Sequence, residues 1–339
     1  MKKTQIYIST IFILLIAAFG TSQLQSTPPP PAPLIELPIS IVDNRVQLTL
    51  QVEHYKLKFA LDTGATRTVI FQSDKYDFKD LPSVSEAKVS FPALDEFVQG
   101  KNLAPIDIQL GTETFTPKHP ILIQQRPPIG ERLSFNFDGI LGQDFFGQYV
   151  VEIDPKADLL RLYTPGVSLK PHYRTAIQLH MKDSAPHIRF RTRLPWEKHN
   201  SLKELLLDTG YPGAMVIWNR SQFIDAAGTS KIDNYLNENK GIVTLGSFRI
   251  GRLRFQDVPL FVASKVPTQA QERDGLLGSN VLIQFKHVID FSSRQLLLQS
   301  GRLHRHPIDN TFYTPNNENY VVKDYTPTFF VPTMIITAG

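Results

Sequence analysis

Polar and apolar residues alternate over short stretches of this chain, as they do in β-strands that bury one face. The alternation is clear over residues 45–50 and again over residues 55–60, with residues 52–54 able to reverse the chain between them. Apolar positions at helical spacing are scarce, and β-branched and aromatic residues dominate the apolar set. The pattern predicts a mainly β protein.

The same landmarks recur in the same order in the two halves of the chain. An apolar stretch ending in Asp-Thr-Gly occupies residues 59–64 and returns 146 positions later. The sequence Asp-Gly-Ile-Leu-Gly at residues 138–142 is matched by Asp-Gly-Leu-Leu-Gly 136 positions later, and so is the Ile-Asp pair at residues 153–154. Residues 108–111 and 248–251 match more weakly. Chance predicts about 0.1 Asp-Thr-Gly tripeptides in a chain of this length, so we infer a duplication.

The repeat sets the predicted domain organisation. Residues 34–166 form an N-terminal lobe and residues 167–300 a C-terminal lobe, joined near Pro165 and Gly166. The tail at residues 301–339 contains an apolar, β-prone stretch. We favour an edge strand beside the start of the first lobe over a self-inhibitory segment lying in the cleft.

The N-terminus has the pattern of an export signal. Lys2 and Lys3 precede an apolar stretch at residues 6–18, and small residues suited to cleavage by signal peptidase follow it. The whole predicted signal segment covers residues 1–22. The apolar stretch is short for a membrane-spanning helix, although an uncleaved anchor is the alternative. Residues 23–33, with four successive prolines, form an extended linker. The prediction is an exported protein, periplasmic or secreted, or tethered to the outer face of the cytoplasmic membrane.

Composition narrows the function classes. The chain has 36 Lys and Arg against 32 Asp and Glu, a net charge of +4 that is spread along the sequence, so we expect no nucleic-acid partner. It has no cysteine, which excludes disulfides, zinc–thiolate sites and cysteine nucleophiles. Glycine-rich phosphate loops, a serine nucleophile elbow and a zinc-binding helix motif are missing. His304 and His306 lack a third ligand and are interpreted as surface residues. We predict no cofactor and no metal.

Asp62 and Asp208 are the chemical candidates that the repeat identifies. Each follows an apolar strand and precedes Thr-Gly, so each carboxylate lies at the end of a buried strand beside a glycine. One such Asp alone is ordinarily structural, since it caps a turn. Two at equivalent positions of duplicated lobes would meet at a pseudo-twofold axis, where they share a proton and can act as acid and base. This arrangement suits amide hydrolysis by an activated water.

At these residues the chain resembles the aspartic peptidases of the pepsin and retropepsin type. The resemblance spans about residues 35–300 and rests on the Asp-Thr-Gly motif and the later apolar-apolar-Gly motif of each half. It implies an all-β, bilobal acid protease fold, in which two homologous β-barrel-like lobes surround a pseudo-twofold axis.

The resemblance also implies roles for individual residues. Asp62 and Asp208 correspond to the catalytic dyad. The hydroxyls of Thr63 and Thr209 are expected to lock the two active loops together, while Gly64 and Gly210 keep the carboxylates close. The second motif is expected to support those loops through Ile140, Leu141, Gly142, Leu276, Leu277 and Gly278.

Two positions depart from the family pattern. Ala65 and Tyr211 follow the two Asp-Thr-Gly motifs, where pepsin-like enzymes often carry a hydroxyl that stabilises the ionised carboxylate. We therefore expect activity at mildly acidic pH. The Tyr211 ring either narrows the cleft or points outward where Gly213 redirects the strand. Flaps that close over substrate are expected near residues 84–100 and 231–245.

The functional prediction is an aspartic endopeptidase that acts as a monomer on a protein or peptide substrate. The duplication supplies both aspartates in one chain, so a second copy is not required. Two alternatives stay open: a catalytically silent peptide-binding module of the cell envelope with the same fold, and a structural envelope protein held by an uncleaved N-terminal segment.

Overall fold

The computed structural model describes residues 28–73, 75–91, 96–124, 136–194, 197–217, 242–262 and 274–299, together with two short strands in the tail. The predicted signal segment, most of the tail including His304 and His306, and most of the second expected flap lie outside these residues. Residues from 31 onward form one compact unit. Among the described residues, no helix is long and apolar enough to cross a membrane.

The first half of the chain is built almost entirely of strands. Its elements are β1 (Ile35–Pro38), β2 (Ser40–Val42), β3 (Arg45–Val52), β4 (Tyr55–Leu61), β5 (Val69–Phe71), a 3-10 turn (Phe78–Asp80), β6 (Ser83–Phe91), β7 (Glu96–Leu103), β8 (Ile108–Leu110), β9 (Glu113–Phe115), β10 (Ile121–Ile123), β11 (Gly139–Leu141), helix α1 (Gln143–Gln148), β12 (Val150–Asp154) and β13 (Leu159–Tyr163).

The second half repeats this plan. Its elements are a 3-10 turn (Lys170–His172), β14 (Thr175–Gln178), β15 (His180–Lys182), β16 (Ala185–Thr192), β17 (Ser201–Asp208), β18 (Met215–Ile217), β19 (Ile242–Ile250), β20 (Leu253–Val262), β21 (Gly275–Gly278), helix α2 (Ser279–Leu282), β22 (His287–Asp290), β23 (Gln295–Leu298), and the tail strands β24 (Phe312–Tyr313) and β25 (Asn319–Tyr320).

Each half has a large sheet with the same central arrangement. In the first half, β11 runs parallel to β4 and antiparallel to β5. In the second half, β21 runs parallel to β17 and antiparallel to β18. The strand that ends at the aspartate therefore lies beside the later apolar-apolar-Gly strand in both halves. The mainly β, bilobal fold predicted from the sequence is confirmed.

A third sheet of six antiparallel strands joins the halves, in the order β1-β13-β12-β22-β23-β14. At its centre Glu152 pairs with Val288, and these two residues are 136 positions apart, the offset of the sequence repeat. Val151 pairs with Ile289, the repeat copy of Ile153, and Ile153 pairs with His287, the repeat copy of Val151, as a twofold axis requires. The pseudo-twofold axis therefore passes through the Glu152–Val288 pair.

The weaker repeat also corresponds to equivalent structure. Gly111 lies in the turn between β8 and β9, and Gly251 lies in the turn between β19 and β20. Both have positive φ, +70° and +58°, a conformation that other residues adopt with strain. A side chain at Gly111 would meet Ile35 of β1, and one at Gly251 would meet Thr175 of β14, the matching outer strands of the joining sheet.

The two halves share one apolar core. A single cluster includes Leu61 and Phe145 from the first half and Leu207 and Phe285 from the second. The stretch of the tail that was expected to form an edge strand lies outside the described residues. The two tail strands that are described, β24 and β25, pair with each other.

The start of β3 differs from what simple alternation would produce. Alternation over residues 45–50 would leave Arg45 and Gln47 on a solvated face, yet they are 3% and 1% exposed. The next polar residue on that face, Thr49, is exposed. The burial arises because this end of β3 lies against the other half of the molecule.

Candidate active site

Asp62 and Asp208 lie at the ends of matching strands, immediately after β4 and at the last position of β17. Their side chains are 1% and 0% exposed. Oδ1 of Asp62 accepts the N–H groups of Gly64 and Ala65 at 2.8 and 3.1 Å. Oδ1 of Asp208 accepts the matching N–H groups of Gly210 and Tyr211 at 3.0 and 3.1 Å. The chain thus turns tightly around each carboxylate, and the two turns have the same geometry.

Gly64 and Gly210 hold the opposite carboxylates. A Cβ built on Gly64 would lie 2.9 Å from Cγ of Asp208, and one built on Gly210 would lie 2.3 Å from Cγ of Asp62. Each glycine backbone therefore packs directly against the aspartate of the other half. Only glycine leaves room for this approach.

The two carboxyl groups interact directly. Burial raises the pKa of Asp62 well above its usual range, and the negative charge of Asp208 and a side-chain hydrogen bond to Asp208 raise it further. The N–H groups of Gly64 and Ala65 act in the opposite direction but do not compensate. A buried pair of this kind holds one proton between two acids, so it contains a base and an acid at the same pH.

Thr63 and Thr209 connect the two loops. The Thr63 hydroxyl donates to the carbonyl of Leu207 at 2.5 Å and accepts the N–H of Thr209 at 3.1 Å. The Thr209 hydroxyl donates to the carbonyl of Leu61 at 3.0 Å and accepts the N–H of Thr63 at 3.0 Å. Four buried hydrogen bonds therefore fix one loop against the other.

The second motif supports each loop from behind. In the first half, the N–H of Asp62 donates to the carbonyl of Leu141 at 3.0 Å, and the N–H of Gln143 donates to the carbonyl of Ala65 at 2.8 Å. A Cβ on Gly142 would collide with that same carbonyl. In the second half, the N–H of Ser279 donates to the carbonyl of Tyr211 at 2.8 Å.

The side chains of this motif pack into the lobes. The residues concerned are buried apolar residues on β11 and β21, namely Ile140, Leu141, Leu276 and Leu277. A Cβ on Gly278 would lie 2.1 Å from the carbonyl of Gly213 and 2.5 Å from the Tyr211 ring. All twelve site residues expected from the sequence therefore lie at the two loops or directly beneath them.

A solved structure shares this architecture. The crystal structure of an aspartic proteinase from Irpex lacteus matches with a TM-score of 0.55 and 15% sequence identity, over 81% of this chain and 99% of the other. The chain has the pepsin-like aspartic proteinase fold. The structure of basic 7S globulin from soybean matches with a TM-score of 0.48 and 11% identity, over 84% of this chain and all 100% of the other. No family model and no curated protein matches the sequence.

Within this pepsin-like fold, the Tyr211 side chain packs against two glycines beside its loop. The side chain is 1% exposed. A Cβ on Gly213 would lie 2.5 Å from its hydroxyl oxygen, so the ring folds back over that glycine and over Gly278. The two glycines make a place for the ring inside the second lobe.

The first expected flap region forms a hairpin of this fold. Strands β6 and β7 are antiparallel, and their register runs from Ser83 opposite Leu103 to Phe91 opposite Glu96. Phe97, close to the end of the hairpin, is 57% exposed. Of the second expected flap, residues 242–245 form the start of β19, and the remainder lies outside the described residues.

Sequence reasoning missed Arg45. Its Nε donates to the carbonyl of Gly210 at 2.8 Å, so a buried guanidinium of the first half touches the active loop of the second. The only sequence signal was its position at the start of an alternating strand, where a charged residue normally faces solvent. Among the described residues, no group of three or more His, Asp or Glu side chains is placed to hold a metal ion.

Proposed function

We propose that this chain is an aspartic endopeptidase that hydrolyses peptide bonds with a water activated by Asp62 and Asp208. The observation that carries the proposal is the pairing of these carboxyl groups. Equivalent loops present them to each other, and each accepts two backbone N–H groups from equivalent positions of its own loop. The pKa of Asp62 is raised by burial and by Asp208.

The chemistry follows from one proton shared by two carboxyl groups. The ionised carboxylate removes a proton from water, and the water oxygen forms a bond to the peptide carbonyl carbon. The protonated carboxyl group donates to the developing oxyanion, which stabilises the tetrahedral intermediate. Transfer of a proton to the amide nitrogen then allows the C–N bond to break, which releases an amine and a carboxylic acid and returns the pair to its starting protonation.

The loops contribute by positioning. The four hydrogen bonds of Thr63 and Thr209 hold the carboxyl groups in register without a ligand in place. Such preorganisation matters because a displacement of about 1 Å at a reacting group can reduce the rate about 100-fold. An extended peptide is the substrate class that suits a site between two lobes. The hairpin of β6 and β7 is our candidate flap.

The test is cleavage of a mixed peptide library between pH 4 and 7 by the wild type and by Asp62→Asn and Asp208→Asn. We expect both variants to lose cleavage. Asp138→Asn is the matched control: Asp138 Oδ2 accepts the N–H of Lys58 at 2.9 Å, so this carboxylate is structural and outside the pair. The control should keep cleavage when folded.

Several outcomes separate the alternatives. Cleavage that persists in either dyad variant contradicts the two-aspartate mechanism. A folded wild type that cuts nothing, even after removal of the tail beyond residue 300, favours the silent peptide-binding module. Inhibition by pepstatin-type transition-state mimics would support the pepsin-like mechanism. Export is a further part of the proposal, supported by the signal-like N-terminus. A protein recovered from the cell with its first residue at Met1 would favour the uncleaved anchor.

A further inference from the structure

We propose that Arg45 is a positioning residue of the active site, which fixes the second active loop and favours the singly ionised state of the Asp62–Asp208 pair. This inference rests on the proposed function, because it gives Arg45 a part in that same site. It is carried by three independent features: the contacts of the turn before β3, the burial of a fixed charge, and the absence of a counterpart in the other lobe.

The turn between β2 and β3 crosses from one half of the molecule to the other. Asn44 Nδ2 donates to the carbonyl of Pro212 at 3.1 Å, and Arg45 Nε donates to the carbonyl of Gly210 at 2.8 Å. Both acceptors belong to the loop that carries Asp208. Since Gly210 packs against the Asp62 carboxyl group, the arginine holds a backbone unit that contacts this acid.

The guanidinium of Arg45 is a buried charge. Its side chain also lies against the ring of Phe137, with Cζ 5.8 Å from the ring centre. Its Nη2 is buried and has no hydrogen-bond partner among the described residues. Burying an uncompensated charge is costly, and a guanidinium stays protonated, so nearby anions must offset the cost.

Burial and three nearby carboxylates act on this charge in opposite directions. Burial lowers the pKa of Arg45, and the negative charges of Asp43, Asp62 and Asp208 oppose that change, with a smaller effect from Tyr211. The interaction is mutual: a cation that is stabilised by the pair stabilises the ionised pair in return. Asp43, in the preceding turn, partly offsets the cation from outside the pair.

The other lobe shows that this is not a requirement of the fold. The β15–β16 hairpin repeats the β2–β3 hairpin 140 positions later, with Lys182 opposite Ala185 as Val42 is opposite Arg45. Ala185 therefore occupies the position of Arg45, and it has no charge and no side-chain hydrogen-bonding group. At this position one lobe places a cation beside the pair and the other places an alanine, so the two equivalent positions contribute differently to the electrostatics of the site.

The proposal predicts a shift with a definite sign. Loss of a cation near the pair disfavours ionisation, so in Arg45→Gln both limbs of the pH profile of kcat/KM should move to higher pH by about one unit. Arg45→Lys keeps the charge and should keep the profile. Arg189→Gln is the matched control: it removes the same charge from β16, where Arg189 is partly exposed and bound to Glu204 at 2.6 Å. Its profile should not move.

Asp43→Asn provides a test that does not disturb the buried arginine. Asp43 lies in a turn with φ of +50°, which Asn tolerates well, so the fold should be retained. After removal of this negative charge, Asp62 and Asp208 are the remaining carboxylates that offset the cation, so the pair ionises more readily and the profile should move to lower pH. The opposite signs of Asp43→Asn and Arg45→Gln cannot arise from a general loss of stability.

A second readout separates this proposal from the proposed function. Carboxyl NMR titration of ¹³C-Asp protein, with the pair identified by comparison with Asp62→Asn, gives the ionisation of the pair without any substrate. If the chain cuts no peptide but the titration shifts as described, the role of Arg45 stands and the protease function fails. Titrations of Arg45→Gln and Asp43→Asn that match wild type, with pH profiles that stay in place, would leave Arg45 with a purely structural role and overturn the proposal.

Discussion

The hydroxyls of Thr63 and Thr209 form reciprocal hydrogen bonds across the junction of the two lobes. Each accepts the backbone N–H of the other residue and donates to the carbonyl that precedes the opposite aspartate, over distances from 2.5 to 3.1 Å. A methyl group in place of either hydroxyl removes a donor and an acceptor together. The alignment of the carboxyl groups therefore depends on two small side chains that are buried between the loops.

The first prediction concerns these reciprocal hydrogen bonds. Thr63→Val keeps the shape but leaves the carbonyl of Leu207 and the N–H of Thr209 unpaired in the interior. We expect a loss of roughly 1–3 kcal/mol in the free energy of unfolding for each unpaired group, and a reduced kcat. Thr63→Ser keeps the hydroxyl and is the control. Urea unfolding and steady-state kinetics measure both quantities, and equal stability of the two variants would contradict the prediction.

The second prediction uses two glycines of very different surroundings. Gly210→Ala places a Cβ 2.3 Å from Cγ of Asp62, so it must push the carboxyl groups apart. We expect at least a roughly 100-fold loss of kcat/KM. Gly147 lies in α1 and a Cβ there meets nothing within 4 Å, so Gly147→Ala should raise the free energy of unfolding by about 0.5–1 kcal/mol at unchanged activity. Similar activity of the two alanine variants would show that the close approach at Gly210 is unnecessary.

The sequence was sufficient to find the pair because the evidence for it is repetition. Asp62 and Asp208 occupy equivalent places in a duplicated pattern, and a twofold axis brings equivalent places together. The repeat also contains Thr63, Thr209 and both glycines, since these are contiguous with the aspartates, but their roles were expected from the resemblance to the aspartic peptidases. The pairing of Glu152 with Val288 shows that the repeat offset carries through to the residue level.

Features that break the repeat could not be found in this way. Arg45 has Ala185 as its counterpart, so no repeated pattern draws attention to it, and its strand alternates like a solvated one. Tyr211 is similar: whether its ring enters the cleft depends on the space that Gly213 and Gly278 leave, which is a matter of packing. The alternation of polar and apolar residues reflects the structure of a single strand. The surroundings of Arg45 and Tyr211 depend instead on contacts with segments far away in the sequence.

The third prediction is that the active pair destabilises the protein at neutral pH. Because the folded state raises the pKa of Asp62, it binds a proton more strongly than the unfolded chain does. The resulting stability is fully present below the unfolded pKa of about 3.9 and is lost as pH rises through the folded pKa. Asp62→Asn is neutral at every pH and should remove this loss. Unfolding in urea at a series of pH values would check it, and an Asp62→Asn variant less stable than wild type at pH 7 would contradict it.

The fourth prediction has the opposite sign and concerns Glu152, at the centre of the joining sheet. Burial alone would raise its pKa, but hydrogen bonds from Lys286, Tyr173 and Arg161 outweigh burial and lower it. This contribution to stability is present above the unfolded pKa of about 4.3 and is lost as pH falls through the folded pKa.

Glu152→Gln should therefore reduce the free energy of unfolding by about 2 kcal/mol near neutral pH, and by less in acid. Asp154 supplies a matched comparison, because it lies 3.7 Å from Arg161 and 3.8 Å from Lys286, farther than Glu152 does. Asp154→Asn should have the smaller effect. If the two variants are equally destabilised, or if the loss in Glu152→Gln is independent of pH, the network does not hold the sheet together electrostatically.

The last prediction concerns the pH of activity. Ala65 gives Asp62 a backbone N–H but no side-chain hydroxyl, so the ionised carboxylate has fewer donors than a serine or threonine at this position would provide. We expect kcat/KM to peak at mildly acidic pH, and a maximum below about pH 3 would contradict this.

Ala65→Ser adds a donor beside Asp62 and should move the acid limb to lower pH, since hydrogen bonds to the ionised form favour it. Ala60→Ser buries a hydroxyl in the same apolar cluster, one position before Leu61, and serves as the control. If both serine variants move the limb equally, the shift reflects a change in the core. A shift in Ala65→Ser alone assigns it to the bond with Asp62, and the residue that follows this Asp-Thr-Gly motif then contributes to the pH of activity.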